Sequence, residues 1–353
     1  MKALRLHGIG DLRLEEVKKP VPTGDEILMK IGACGICGSD LPRVYDLGAH
    51  VYPLTIGHEF AGTIVEVGNP ADEDLLGKKA AVFPLIPCGK CEACRTGKYC
   101  QCSHYNYLGS RCDGGFAEYC LIPSRWNLVP AKDERVSMEE LCMVEPICVA
   151  QHAVRRGQVT GGEQVVVFGA GPIGILSARW AEIFGAKKVI LVDIDEIKVE
   201  FARGRGFTVI NSRETDGVKA ILELTGGRGV DVAIEGTGTG SCLNSAVECV
   251  RTGGRIVLLG NPHCDTTLEL KNHSSILRKE ILLSGVWNSY YEELPLNEWS
   301  YSVEMLESGR LEAAALISHR VGLDGLKELF DNIHERKITI CKAIYSAEEN
   351  EKE

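Results

Sequence analysis

The stretch PCGKCEACRTGKYCQC holds Cys88, Cys91 and Cys94 with two residues between neighbours, and Cys102 a short loop further on. Three close thiolates and a fourth returning from one loop make a closed tetrahedral S4 set, the pattern of a structural zinc. Spacing alone admits Cys100 in place of Cys102. Free surface thiols are a poor explanation, because an exposed thiol cluster without metal is open to oxidation. A second group is scattered: Cys37 in CGICGSD, His58 and Glu59 in IGHEF, and Glu145 in VEP. Singly these read as a turn cysteine, a satisfied core histidine and solvated acids. Together, a thiolate, an imidazole and carboxylates suit zinc with one position left open, and catalysis needs that open position.

A third constellation is GAGPIG, which places Gly169, Gly171 and Gly174 in GxGxxG spacing, with Pro172 and Ile173 between them. It follows the apolar run EQVVVF and opens a helix-length segment. In that context the glycines permit a tight turn and close backbone approach, and the helix N-terminus offers N–H groups to a pyrophosphate. The next apolar run, KKVILV, ends in Asp193, placed to accept hydrogen bonds from a ribose and to repel a 2′-phosphate. Ile194, Asp195 and Glu196 follow it without an arginine, so NAD is favoured over NADP. Thr237, in the turn after DVAIEG, is a further candidate contact to the cofactor, since strand C-terminal ends face the ligand crevice.

These residues need elements to carry them. The first 150 residues show short β-rich runs, EILMKIGACGI, GTIVEVG, KKAAVFPL and GGFAEYCLI, broken by Gly and Pro. Over 151–285 strands alternate with helix-length segments, βαβ grammar that predicts a doubly wound parallel sheet of Rossmann type. Residues 286–353, with the helix-like LNEWSYSVEMLESG and the strand-like ITICKAIY, are expected to return to the first domain. The acidic tail SAEENEKE is expected to fray in solvent. A chain of 353 residues exceeds one ordinary core. Its net charge of −10 argues against a nucleic-acid partner, and a zinc-finger reading of the cysteine lobe fails on that charge and on the lack of a basic recognition helix. There is no signal-peptide core and no apolar run long enough for a membrane span, so no membrane partner and a cytoplasmic enzyme are expected. Fifteen cysteines in such a chain point to metal rather than disulfides.

The order CGICGSD, GHEFAG, the four-cysteine lobe, GGFAEY, EP and GAGPIG resembles the zinc-containing medium-chain alcohol and polyol dehydrogenases over nearly the whole chain. The resemblance implies a GroES-like β domain carrying both zincs, a Rossmann domain carrying NAD, a cleft between them, and a homodimer or homotetramer. It assigns Cys37, His58 and Glu59 or Glu145 to a catalytic zinc. Glu145 stands where alcohol dehydrogenases proper have cysteine, as in the polyol branch, and which carboxylate binds directly stays open. Asp40 matches a residue that orients His58, and Ser39 matches the hydroxyl that takes the substrate proton. Pro42 departs from the pattern, lying where a relay histidine often stands. The runs CGSDLPR, GAHVYP, LGSRCDGGFAEY and SGVWNSY are most similar to the branch acting on sugar-alcohol phosphates such as galactitol 1-phosphate. A phosphate requires cationic or N–H donors, and Arg43, His50, Arg111 and Asn288 are the candidates. Tyr107 and Trp287 are left unassigned, as core residues at least as readily as lining of a site.

Three other readings compete: a dehydrogenase of an unphosphorylated polyol, a vicinal diol or L-threonine; a pentitol-phosphate enzyme; and a dinucleotide-binding structural or sensor protein without chemistry. The last is disfavoured by the intact mixed-ligand set.

Overall fold

The structure, a computed structural model, describes residues 1–292 and 296–351. The chain divides into two compact units, Met1–Glu145 with Tyr290–Glu353, and Pro146–Ser289. The divide falls inside the helix Val144–Arg156, outside the 151–285 drawn from sequence, because that helix belongs with the second unit's core: Trp180 Nε1 donates to the Ile147 carbonyl at 3.1 Å.

The second unit is a six-stranded, wholly parallel sheet. In spatial order its strands are Thr208–Asn211, Lys188–Asp193, Gln164–Phe168, Val230–Glu235, Val250–Leu258 and Leu282–Gly285. Numbered along the chain this is 3-2-1-4-5-6, the doubly wound arrangement in which ligands meet the sheet where the order reverses. The central strand QVVVF is buried throughout, as a strand covered on both faces must be. At its end the chain turns through Gly169, at φ 103°, into the helix Pro172–Ile183, whose first position is a proline with no N–H to satisfy. A β-carbon at Gly174 would collide with the Gly169 carbonyl oxygen, so only glycine lets the helix begin so close to the strand.

The first unit is built around a mixed sheet, in order Leu128–Pro130, Lys79–Val82, Glu59–Val67, Ile27–Gly35, Lys342–Ser346 and Ile317–Val321, with Tyr119–Ile122 also paired to Ile27–Gly35. A three-stranded sheet of Asp11–Glu16, Lys2–Gly8 and Leu54–Thr55 joins it around a core that includes Leu4, Ile27, Phe60, Phe116, Phe330 and Tyr345. The run ITICKAIY supplies Lys342–Ser346, antiparallel to Ile27–Gly35 and parallel to Ile317–Val321. The part of the acidic tail before residue 352 departs from expectation, while Lys352 and Glu353 lie outside the described residues: Ala347–Glu351 forms 3-10 turns, and Asn350 accepts the Leu323 N–H at 2.9 Å and donates to the Tyr345 hydroxyl at 3.3 Å. One amide side chain with both a donor and an acceptor in use is what ties the segment down.

Candidate active site and metal centres

Two strand ends of the first unit meet where chemistry is concentrated. Ile27–Gly35 leads into Cys37 and Ser39, His58 immediately precedes Glu59–Val67, and Gly35 and Glu59 are cross-strand partners. Ligand atoms of Cys37, His58 and Glu59 lie within 4.8 Å of one another, His58 and Glu59 being buried. The Asp40 carboxylate, fully buried, accepts the Cys37 N–H at 3.0 Å and faces His58 Nδ1 at 3.5 Å, which directs the other ring nitrogen elsewhere. Burial opposes a charged imidazole, yet the Asp40 carboxylate and the Cys37 sulfur outweigh it and hold the His58 pKa well above the usual range.

Two further residues complete the surroundings. Glu145 opens the helix Val144–Arg156, where the helix dipole favours a carboxylate, and it accepts a hydrogen bond from the Tyr107 hydroxyl at 3.2 Å. Burial pushes its carboxyl up to about 7, the neighbouring Glu59 adding to the rise and His58 and Lys342 opposing it. Tyr107 also meets the His58 ring edge-on at 5.8 Å, so this tyrosine belongs to the site. Lys342, which the sequence did not single out, is ion-paired with Glu59 and donates to the Ile36 carbonyl at 2.9 Å, with only 4% of its side chain exposed. The pair needs Gly35, since a β-carbon there would occupy the space of the Glu59 carboxylate and the Lys342 stem. A lone lysine in the otherwise apolar run ICKAIY was the available signal.

A metal fits this set on geometry. The sulfur of Cys37, the imidazole of His58 and the buried Glu59 carboxylate stand within 4.8 Å of one another, with Glu145 and Asp40 beside His58. The chemistry of the donors, one soft and the rest borderline or hard, suits zinc.

The second metal set is unambiguous in geometry. Sγ atoms of Cys88, Cys91, Cys94 and Cys102 all lie within 4.8 Å, with Cys91 to Cys94 at 3.4 Å, Cys91 to Cys102 at 3.8 Å and Cys88 to Cys94 at 3.9 Å. Zinc–sulfur bonds of about 2.3 Å arranged tetrahedrally require S···S edges of about 3.8 Å. Cys102, not Cys100, closes the set. The Cys94 N–H pulls the Cys91 thiol down to about 6, favouring the thiolate that a metal takes.

In the second unit Asp193 is tied into the glycine turn. Its Oδ2 accepts the Ala170 N–H at 2.7 Å, and its Oδ1 accepts those of Ile194 and Asp195 at 2.7 and 2.9 Å. With two acceptor positions on each carboxylate oxygen, Oδ2 keeps one for a ribose hydroxyl. Thr237 stands beside Gly169, its hydroxyl donating to Glu235 at 2.5 Å, so the two turns at the point of strand-order reversal are adjacent.

The phosphate candidates scatter. Arg43 donates to Asp40, and His50 is exposed. Arg111 lies over the Tyr105 ring at 4.4 Å, and Tyr105 meets Tyr107 edge-on at 6.2 Å, which connects this guanidinium to the His58 side of the site. Asn288 belongs to the second unit, adopts φ 57° and accepts from Ser289 at 2.8 Å. Trp287 is exposed, as is Ser39, whose hydroxyl lies 3.3 Å from Cys37 Sγ.

Residues 23–133 match the alcohol dehydrogenase GroES-like domain and residues 172–308 match zinc-binding dehydrogenase. Galactitol 1-phosphate 5-dehydrogenase of Escherichia coli (strain K12) is 35% identical over 320 residues, covering 90% of this chain and 92% of that protein. Sorbitol dehydrogenase of Bacillus subtilis (strain 168) is 33% identical over 337 residues, covering 94% of this chain and 93% of that one. The crystal structure of galactitol-1-phosphate dehydrogenase from Escherichia coli superposes with a TM-score of 0.91 at 34% identity, over 98% of this chain and 100% of that chain. Similarity of this extent, spanning both units and all the motifs that carry the two metal sets, means that the chain belongs to the zinc-containing medium-chain alcohol and polyol dehydrogenases.

Proposed function

We propose that this dehydrogenase oxidises a secondary alcohol of a sugar-alcohol phosphate, galactitol 1-phosphate being the first to test, with NAD as hydride acceptor. The observation that carries the chemistry is the convergence of Cys37, His58 and Glu59 at two strand ends, in a chain that also holds a glycine turn braced by Asp193. Zinc in that set supplies a Lewis acid that lowers the pKa of a substrate hydroxyl. The protein's own groups do the rest. Ser39, exposed and already bonded to the Cys37 sulfur, takes the hydroxyl proton. With Pro42 where a histidine relay would stand, the proton leaves through solvent or the cofactor ribose. Asp193 accepts from the adenosine ribose, at the other end of the cofactor, and, with Ile194 beside it and no arginine, repels a 2′-phosphate. Arg111, one aromatic pair away from Tyr107, supports the phosphate half of the reading.

The unphosphorylated-polyol reading draws support from one observation, the engagement of Arg43 with Asp40. Paired assays of NADH formation separate the two. Galactitol 1-phosphate is expected to exceed galactitol in kcat/KM by about a hundredfold or more, since a site built for a charged group rejects the analogue lacking it. Equal turnover of galactitol, or reaction of L-threonine instead, removes the phosphate from the proposal. Absence of NADH with every alcohol would favour the sensor reading.

Self-association of the chain belongs to the same proposal. The strand Leu282–Gly285 is an edge of the parallel sheet, with Leu282 66% and Leu283 39% exposed. An open, apolar edge is a template for another strand, and a second copy is the proposed occupant. Sedimentation equilibrium at micromolar concentration is expected to give a dimer or a multiple of it; a monomer would remove this part. Among the described residues no helix is long and apolar enough to cross a membrane.

A further inference from the structure

Arg43 opens a single π-helical turn, Arg43–Leu47, that follows the short helix Asp40–Pro42 directly. Such turns recur at functional sites because the extra residue moves side chains off the ordinary helix face. This one is anchored at several points. Val44 is fully buried, the Tyr45 hydroxyl donates to Asp331 at 2.7 Å, and the Tyr45 ring stacks on His334 at 3.9 Å. Held in that way, the turn directs its first side chain backward: Arg43 Nη1 donates to Asp40 Oδ1, with the arginine side chain 16% exposed and the aspartate fully buried.

Asp40 is in turn the link between two residues of the metal set. One of its oxygens accepts the Cys37 backbone N–H at 3.0 Å, and the other, the one Arg43 holds, lies 3.5 Å from His58 Nδ1. A carboxylate without solvent keeps its place only through the groups that pair with it, and its direction sets the direction of the imidazole it faces. Any rotation of Asp40 therefore moves the Cys37 loop and the His58 ring together.

We propose that Arg43 is a positioning residue of the catalytic metal centre, fixing Asp40 and through it both Cys37 and His58, and that it does not hold a substrate phosphate. The proposal rests on the reading of Cys37 and His58 as metal ligands, and the experiment keeps the two apart. Native protein and the variants Arg43→Ala, Arg43→Lys and Cys37→Ser are loaded with Co²⁺. The thiolate-to-cobalt absorption of the Cys37 site, the rate of cobalt loss to a chelator, and the kinetics of the zinc-loaded forms are then recorded.

Arg43→Ala is expected to shift the absorption and to lose cobalt about ten- to a hundredfold faster, the usual consequence of removing a group that orients a ligand. Its kcat with galactitol 1-phosphate should fall by a similar factor with KM within about twofold, and kcat/KM for galactitol should fall equally. Arg43→Lys, which keeps a cation near Asp40, should recover most of both losses. A native spectrum and native metal retention in Arg43→Ala, with KM rising about tenfold for the phosphorylated substrate alone, would overturn the proposal and return Arg43 to the phosphate. If Arg43→Ala does not fold, Arg43→Gln carries the same measurements. Cys37→Ser must lose the cobalt signal of this site; if it keeps that signal, the ligand reading itself fails whatever Arg43 does.

Discussion

Cys37→Ser should reduce turnover to less than about a thousandth of native while leaving NADH binding within about twofold. Loss of a single preorganised donor to a developing charge costs about 10²–10³ in rate, and loss of the Lewis acid removes more than one such interaction. Cofactor affinity should survive because the glycine turn, Asp193 and Thr237 all lie in the other unit, Pro146–Ser289. Metal content should fall from two ions per chain to one, the four-cysteine set being independent of Cys37. Kinetics, titration of NADH fluorescence and elemental analysis together decide it. Native turnover in the variant would end the catalytic assignment of this site.

Lys342→Met should be the most destabilising single substitution of the site. Lys342 and Glu59 are buried partners, with side-chain exposures of 4% and 2%. Removing one member of such a pair leaves an uncompensated buried charge and costs about 3–5 kcal/mol. Desolvation by itself works against a charged lysine here, yet the ammonium is retained because Glu59 and the Cys37 sulfur outweigh it. Urea unfolding should show the loss in full with the metal stripped, and less of it with zinc bound, because a divalent ion replaces part of the missing charge. Glu59→Gln placed in the same chain should restore much of the stability, since the pair is then removed as a pair. An unchanged unfolding midpoint for Lys342→Met would mean that the buried Lys342–Glu59 pair does not carry this stability.

The parts of the site that could be read from sequence are those whose members are close along the chain or carry a signature in their order. The four cysteines fall in one lobe, and the glycine turn sits between an apolar strand and a helix, so local spacing revealed both. Five of the six strands of the parallel sheet were equally visible as apolar runs separated by helix-length segments; the short edge strand Thr208–Asn211 was not. Lys342 was not, because it pairs across 283 residues and nothing local marks a lysine as buried. Tyr107 was seen but left among core aromatics, and only the fold brings its hydroxyl to Glu145 and its ring to His58. Arg43 shows a different failure. Its i,i+3 spacing to Asp40 was present in the sequence, but a surface cation and a buried partner to an aspartate look alike until the π turn is known. The acidic tail was judged by its charge, whereas one asparagine within it decides its conformation.

The strand Lys342–Ser346 lies between Ile27–Gly35 and Ile317–Val321, so the first unit is assembled from segments at opposite ends of the sequence. Domains generally fold as units as they leave the ribosome, the N-terminal one first. Here that order is inverted. The parallel sheet of Pro146–Ser289 has all its strands available while the central sheet of the first unit still lacks one, and the cation that balances Glu59 is among the last residues of that sheet to be translated. The unit that holds Glu59 is completed after the parallel sheet, and Glu59 meets its buried partner only with the late arrival of Lys342.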